Sequence, residues 1–132
     1  MAVVKMEHVG IMVSSIERSI EFYVKVVGLR HLETVQHLNP EIRLAFLAFP
    51  GQESVELELI QGYFDALPSE GRVHHVAFSV DHIDVEFHRI RTLGVHGLDT
   101  EITTLPNGSQ YFFFDGPDGE RLEFFQSTRS SI

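Results

Sequence analysis

The chain has 132 residues, with 19 acidic against 10 basic side chains and a formal net charge of -9. That length suits one domain with its own hydrophobic core, and the acidity would repel a phosphate backbone, so nucleic acid is excluded as a partner. Cysteine is absent, which excludes disulfides and thiolate zinc sites, leaves nitrogen and oxygen as the only donors for a metal, and fits a reducing, cytoplasmic setting.

The N-terminal MAVVKMEHVG has neither a basic region followed by a long apolar stretch nor a small-residue cleavage site, so no signal peptide is expected. No apolar run approaches the roughly 20 residues of a membrane helix. His8 to Val13 alternates as a strand. Ser14 precedes Glu17 by three, a capping-box pattern for a helix start. The helix should run to about Val27 and end at Gly28, with Ile16, Ile20, Tyr23, Val24 and Val27 on one face. Strands are predicted near 30–37, 42–49 and 54–60, with Pro50-Gly51 at the last turn. A linker follows over 62–71.

The same series then recurs. His75 opens a strand, Asp81 is the predicted N-cap, and Ile83, Phe87, Ile90 and Leu93 form the helical stripe, which Gly94 ends. Strands are predicted near 97–103, 109–115 and 120–126, with Gly116-Pro117-Asp118-Gly119 as the turn. Set over each other, HVGIMVSSIERSIEFYVKVVGL from His8 and HVAFSVDHIDVEFHRIRTLGV from His75 match at an offset of 67, with one residue deleted before the terminal glycine. LELIQ at 57–61 matches LEFFQ at 122–126. The reading is a single α+β domain over 1–132, made of tandem β-α-β-β-β modules at 5–61 and 72–127.

Strand alternation assigns the faces. Val9, Ile11 and Val13 pack inward, as do Val76, Phe78 and Val80, while His8 and His75 point the other way beside the small residues Gly10, Ala77 and Ser79. Leu57 and Leu122 take the packing face of the last strands. Glu56, Glu58, Arg121 and Glu123 take the opposite face, where the small neighbours leave room for a ligand. His8, Glu58, His75 and Glu123 thus form an N2O2 set, in which two His–Glu pairs recur with spacings of 50 and 48 residues. Such a set suits one divalent ion (zinc, nickel, cobalt, manganese or iron(II)) with positions left for water or substrate. Met12, Glu56, Ser79, Arg121 and Phe125 are the candidate substrate-pocket residues, with Glu56 and Arg121 equally readable as a salt bridge at its edge. His74 is read as a neighbour facing the opposite side, and the run Tyr111 to Phe114 as core and sheet.

These four residues, together with FYVKVVGL, HHVAFSV and FFFDGPDGERLEFF, resemble the vicinal oxygen chelate superfamily over essentially the whole chain. The resemblance implies paired modules, a curved eight-stranded mixed sheet around a metal, and helices outside. It also implies a small-molecule substrate and sites built within one chain or across a homodimer. The order His, Glu, His, Glu is most similar to small bacterial glyoxalase I, in which the metal chelates substrate oxygens and a carboxylate moves a proton beside a carbonyl. Glu123 is the first candidate for that base and Glu58 the second. Where those enzymes carry an Arg and an Asn for glutathione, this chain has Met12 and Gly62, which argues against a glutathione hemithioacetal as substrate. Two other readings stand beside this one. An acyl-CoA epimerase of the methylmalonyl-CoA type shares the HVGI and HHVAF patterns, and a non-catalytic antibiotic-binding protein would not need the intact quartet.

Overall fold

A computed structural model describes residues 6–62 and 73–128. They fall into two compact units, one on each side of the linker segment. Each unit is a β-α-β-β-β module. In the first, β1 (His8–Val13), α1 (Ile16–Phe22), β2 (Arg30–Gln36), β3 (Arg43–Phe49) and β4 (Gln52–Gln61) form a sheet ordered β1-β4-β3-β2. In the second, β5 (Val76–Ser79), α2 (Ile83–Thr92), β6 (Thr103–Thr104), β7 (Gln110–Asp115) and β8 (Arg121–Gln126) form a sheet ordered β5-β8-β7-β6. Both sheets are mixed: the first strand runs parallel to the last, and the remaining pairs are antiparallel. The α+β class and the eight strands match the sequence reading, as two four-stranded sheets. Most of the predicted linker, residues 63–71, lies outside the described residues.

The core of each unit lies between its helix and its sheet. Unit 1 buries Val13, Ile16, Tyr23, Leu47 and Leu59, an aliphatic set around one tyrosine. Unit 2 is aromatic, with Phe87 of α2 edge-on to Phe112 at 5.0 Å and Phe124 edge-on to Phe114 at 4.9 Å.

Both helix starts lie one residue later than their expected caps. Ser15, not Ser14, is the N-cap of α1; its backbone is extended and its hydroxyl accepts from the Arg18 amide at 3.3 Å. Ser14 Oγ takes the Arg18 guanidinium instead, at 2.9 Å. His82, not Asp81, occupies the N-cap of α2 and makes no side-chain cap bond. In both units the first helical amide donates to a glutamine at the end of the last strand. Ile16 N–H donates to Gln61 Oε1 at 2.6 Å, and Ile83 N–H to Gln126 Oε1 at 2.8 Å.

The helix ends differ. Gly28 lies twelve residues beyond Ile16, whereas Gly94 lies eleven beyond Ile83. The extra residue is absorbed as a π turn over Tyr23–Val27, in which the Gly28 amide reaches back five residues to the Tyr23 carbonyl at 3.1 Å. This turn rotates Val24 off the predicted stripe to 38% exposure, and Ser19 joins Ile16, Tyr23 and Val27 inside. Gly28 closes the helix at φ +94°. On α2, Ile83, Phe87 and Ile90 are buried but Leu93 is exposed, because it is the C-cap.

The strand predicted over 97–103 shrinks to Thr103–Thr104. Gly97 takes φ +67°, and the segment is tied to β7 through Asp99, whose carboxylate accepts the Phe113 amide at 2.9 Å while its own amide donates to the Phe113 carbonyl. A side chain has replaced part of the ladder.

Candidate metal centre

In unit 1 the parallel register places His8 opposite Glu56 and Gly10 opposite Glu58, so His8 and Glu58 are diagonal neighbours on one face. His8 Nε2 lies 3.5 Å from Glu58 Oε1. In unit 2, Ala77 lies opposite Glu123, and His75 Nε2 lies 3.2 Å from Glu123 Oε1. Sequence pairing and geometry agree within each unit.

The other ring nitrogen is also occupied in both. His8 Nδ1 meets the Glu7 carboxylate at 2.8 Å, and His75 Nδ1 meets His74 Nδ1 at 2.9 Å. The Glu7 carboxylate accepts and so keeps a proton on His8 Nδ1, leaving Nε2 to face Glu58, whereas between His74 and His75 either ring can be the donor. An aromatic edge completes each pair. Phe46, cross-strand from Glu58, has its ring centre 6.2 Å from that of His8, and Phe113, cross-strand from Glu123, lies 5.0 Å from His75. Glu7, His74 and Phe113 are not read from sequence as parts of the site. Phe113 stands 67 residues from Phe46, the repeat offset itself, and that signal would have found it. His74 was assigned to the opposite face by strand parity. It precedes β5, where alternation does not hold, and its ring turns onto His75.

Electrostatics separate the two units. The bond to Glu7 raises the His8 pKa above its ordinary value, with Glu58 and Glu56 adding to the effect against desolvation. Burial raises the Glu123 carboxyl, partly offset by His75. Glu123 is 7% exposed and Glu58 half-buried.

The donors fit a divalent ion. Ligands bound at about 2.0–2.2 Å from a shared ion, at octahedral or tetrahedral angles, lie roughly 3.0–3.5 Å from each other. Both His–Glu separations fall in that interval, and each imidazole has its outer nitrogen satisfied. Among the described residues, no three His, Asp or Glu side chains are gathered as a metal cage, so each unit offers one pair, two donors.

The remaining candidates divide. Glu56 is half-buried beside His8, and Met12 lies opposite Ile60, four residues further along the same face. Ser79 is exposed opposite Phe125, which is half-buried. Arg121 shares the face of Glu123 but is engaged: it pairs with Asp115 at 2.5 Å, lies 3.9 Å from Asp99, donates to the Gly97 carbonyl, and stacks over Phe113 at 5.1 Å. Gly10 keeps space for Glu58, since a Cβ there would stand 3.3 Å from its Oε1 and 3.1 Å from Ile60 Cδ1. Gly62, at φ +112°, runs so close to the Glu41 carbonyl that a Cβ would clash with it, so no side chain of any kind fits at that position.

The family model for the Glyoxalase/Bleomycin resistance protein/Dioxygenase superfamily matches residues 5–124. Uncharacterized protein YwbC of Bacillus subtilis (strain 168) is 48% identical, covering 92% of this chain and 97% of that one. Lactoylglutathione lyase of Haemophilus influenzae is 31% identical over 95% of this chain and 96% of its own length. Among solved structures, the trypanothione-dependent glyoxalase I of Leishmania major superposes with a TM-score of 0.77 at 27% identity, covering 94% of this chain and 87% of that one. TnmS3, an antibiotic-binding protein from Streptomyces sp. CB03234, superposes at 0.79 with 23% identity, over 97% and 99% of the two chains, which shows a shared fold. Among the described residues no helix is long and apolar enough to cross a membrane.

Proposed function

The chain belongs to the Glyoxalase/Bleomycin resistance protein/Dioxygenase superfamily, and from that premise we propose that it is a divalent-metal-dependent, glyoxalase I-like lyase or isomerase that moves a proton beside the carbonyl of a small molecule. The observation that carries the reading is the duplicated facing of imidazole Nε2 and carboxylate Oε1, at 3.5 Å and 3.2 Å. Two pairs of two donors make a full set when His8, Glu58, His75 and Glu123 serve one ion, from one chain or from two in a homodimer. An ion of nickel, zinc, cobalt, manganese or iron(II) would supply Lewis acidity, which makes a proton next to a coordinated carbonyl labile.

The chain's own groups do the rest. Glu123 takes the proton from one carbon and returns it to the neighbouring one. Burial raises its pKa in the metal-free protein. Glu58 is the second candidate. Glu7 holds His8 in one tautomer, and His74 orients the ring of His75. Phe46 and Phe113 exclude water from one side of each pair. The relatives named lactoylglutathione lyase support this class of reaction. Of the other readings, no structural observation favours the acyl-CoA epimerase or the antibiotic-binding protein.

Elemental analysis of purified protein, followed by a screen of α-hydroxycarbonyl and hemithioacetal substrates with the metal found, tests the proposal. Stoichiometric metal, and turnover lost on chelation and in Glu123→Gln, are expected. Undiminished turnover after complete chelation would overturn it, and sedimentation of the metal-loaded protein reads whether the functional form is a dimer.

A further inference from the structure

The two repeat-related faces carry the same His–Glu pair but different surroundings. On the unit 1 face the residues two positions on are Met12 and Ile60, with Leu44 across from Ile60. On the unit 2 face that place is taken by Ser79, Phe125 and Tyr111, the last two being cross-strand partners whose rings are near-parallel at 6° with centres 6.2 Å apart. Tyr111 is also edge-on to Phe113 at 5.6 Å, and Phe113 is edge-on to His75 at 5.0 Å. An unbroken aromatic surface therefore runs from the exposed candidate ligand His75 out to Phe125, and Phe113, Tyr111 and Phe125 are half-buried rather than sealed in the core. α2 packs against the other side of the same strands through Phe112.

Charge narrows the occupant. Arg121 is the cation on this face, and Asp115 and Asp99 already neutralise it. Arg121 therefore has little charge left to offer a carboxylate or phosphate. We propose that the unit 2 face binds the planar, uncharged portion of the substrate, so that the substrate is a neutral carbonyl compound bearing an aromatic or conjugated ring. The inference rests on the metal-site reading above. Phe125 stands two residues from Glu123, about 7 Å along the strand. The ring is accordingly attached directly to the oxygen-bearing carbons or through one or two atoms.

The test uses metal-loaded full-length protein and hydroxamic acids, which are neutral in solution at pH 7, lose one proton on chelation and bind through two neighbouring oxygens. Calorimetric titration compares 2-naphthohydroxamic, acetohydroxamic and 4-carboxybenzohydroxamic acids. The naphthyl compound is expected to bind at least tenfold tighter than the acetyl compound, and the carboxylated ring more weakly than the naphthyl. In Tyr111→Ala and Phe125→Ala the naphthyl affinity should fall by roughly three- to tenfold while acetohydroxamic binding is unchanged, the size expected for losing one aromatic contact. Phe125→Leu preserves bulk for folding and should lose the same preference. Equal binding of the naphthyl and acetyl compounds, or a naphthyl advantage that survives all three substitutions, overturns the inference and leaves the metal reading standing. A protein that takes up no metal overturns both.

Discussion

The glutamines that end β4 and β8 should hold the helices in place, and the effect can be sized. Gln126→Leu keeps most of the side-chain bulk but removes the acceptor of the Ile83 amide. α2 has no side-chain cap at His82 to compensate, so the amide loses its acceptor beside a fully packed isoleucine. Losing such an acceptor costs about 1–2 kcal/mol. For a chain of this length that lowers the melting temperature by roughly 4–8 °C. Gln61→Leu should cost about half as much, because Ser15 still caps the next turn of α1. Gln61→Glu retains an acceptor oxygen and adds a negative charge at a helix N-terminus, so it should melt within about 2 °C of the parent or above it. Thermal melts followed by far-UV circular dichroism read all three. If Gln126→Leu melts with the parent, or Gln61→Glu falls as far as Gln61→Leu, these bonds are not what anchors the helices.

Other expectations concern the paired ligands. Glu123→Gln should abolish metal-dependent stabilisation yet raise the melting temperature of the metal-free protein at neutral pH. A carboxyl whose folded pKa is raised contributes stability below its unfolded pKa and loses it as pH rises through the folded value, so the charged form is a net cost at pH 7. The gap between variant and parent should close toward pH 4.5, and scanning calorimetry across pH with a chelator present would show otherwise if burial is not the cause. Glu7→Gln should weaken metal binding by about 10–100-fold, measured by competition with a coloured chelator. Protons and metal compete for His8, whose pKa is raised chiefly by Glu7; the parent's affinity should therefore begin to fall from its plateau at a higher pH than the variant's, so that the gap between them narrows on acidification, and a gap that stays constant with pH would contradict this. Gly10→Ala should fold normally but weaken metal binding, because the added methyl crowds Glu58; unchanged affinity in the same competition assay would show that the carboxylate has room to move.

Much of the module was legible because its signals are local and periodic. Alternation marks β1, and the 3.6-residue stripe with a terminal glycine marks both helices. The pairing of His8 with Glu58 and of His75 with Glu123 was legible only through the repeat, since 50 and 48 residues separate the partners. What was missed depends on contacts that no short window contains. The caps were displaced by one residue because Ser14 and Ser15 are chemically alike, and the glutamines that satisfy the first amides lie 45 and 43 residues away. Parity misplaced His74 because it precedes the strand. It also left Tyr111 and Phe113 undistinguished from Phe112 and Phe114, although β7 sends the two pairs to opposite faces.

The π turn of α1 takes up the one residue by which the two helices differ in length. Tyr23 and Val27 at its ends stay buried while Val24 turns outward, and Gly28 still closes the helix as Gly94 does in the second unit. Removing Val24 should therefore let the backbone relax into regular α-helix up to Gly28. Solution spectra of the deletion variant should show a folded protein with unaltered metal uptake; collapse of the fold would mean that the bulge has become a structural necessity.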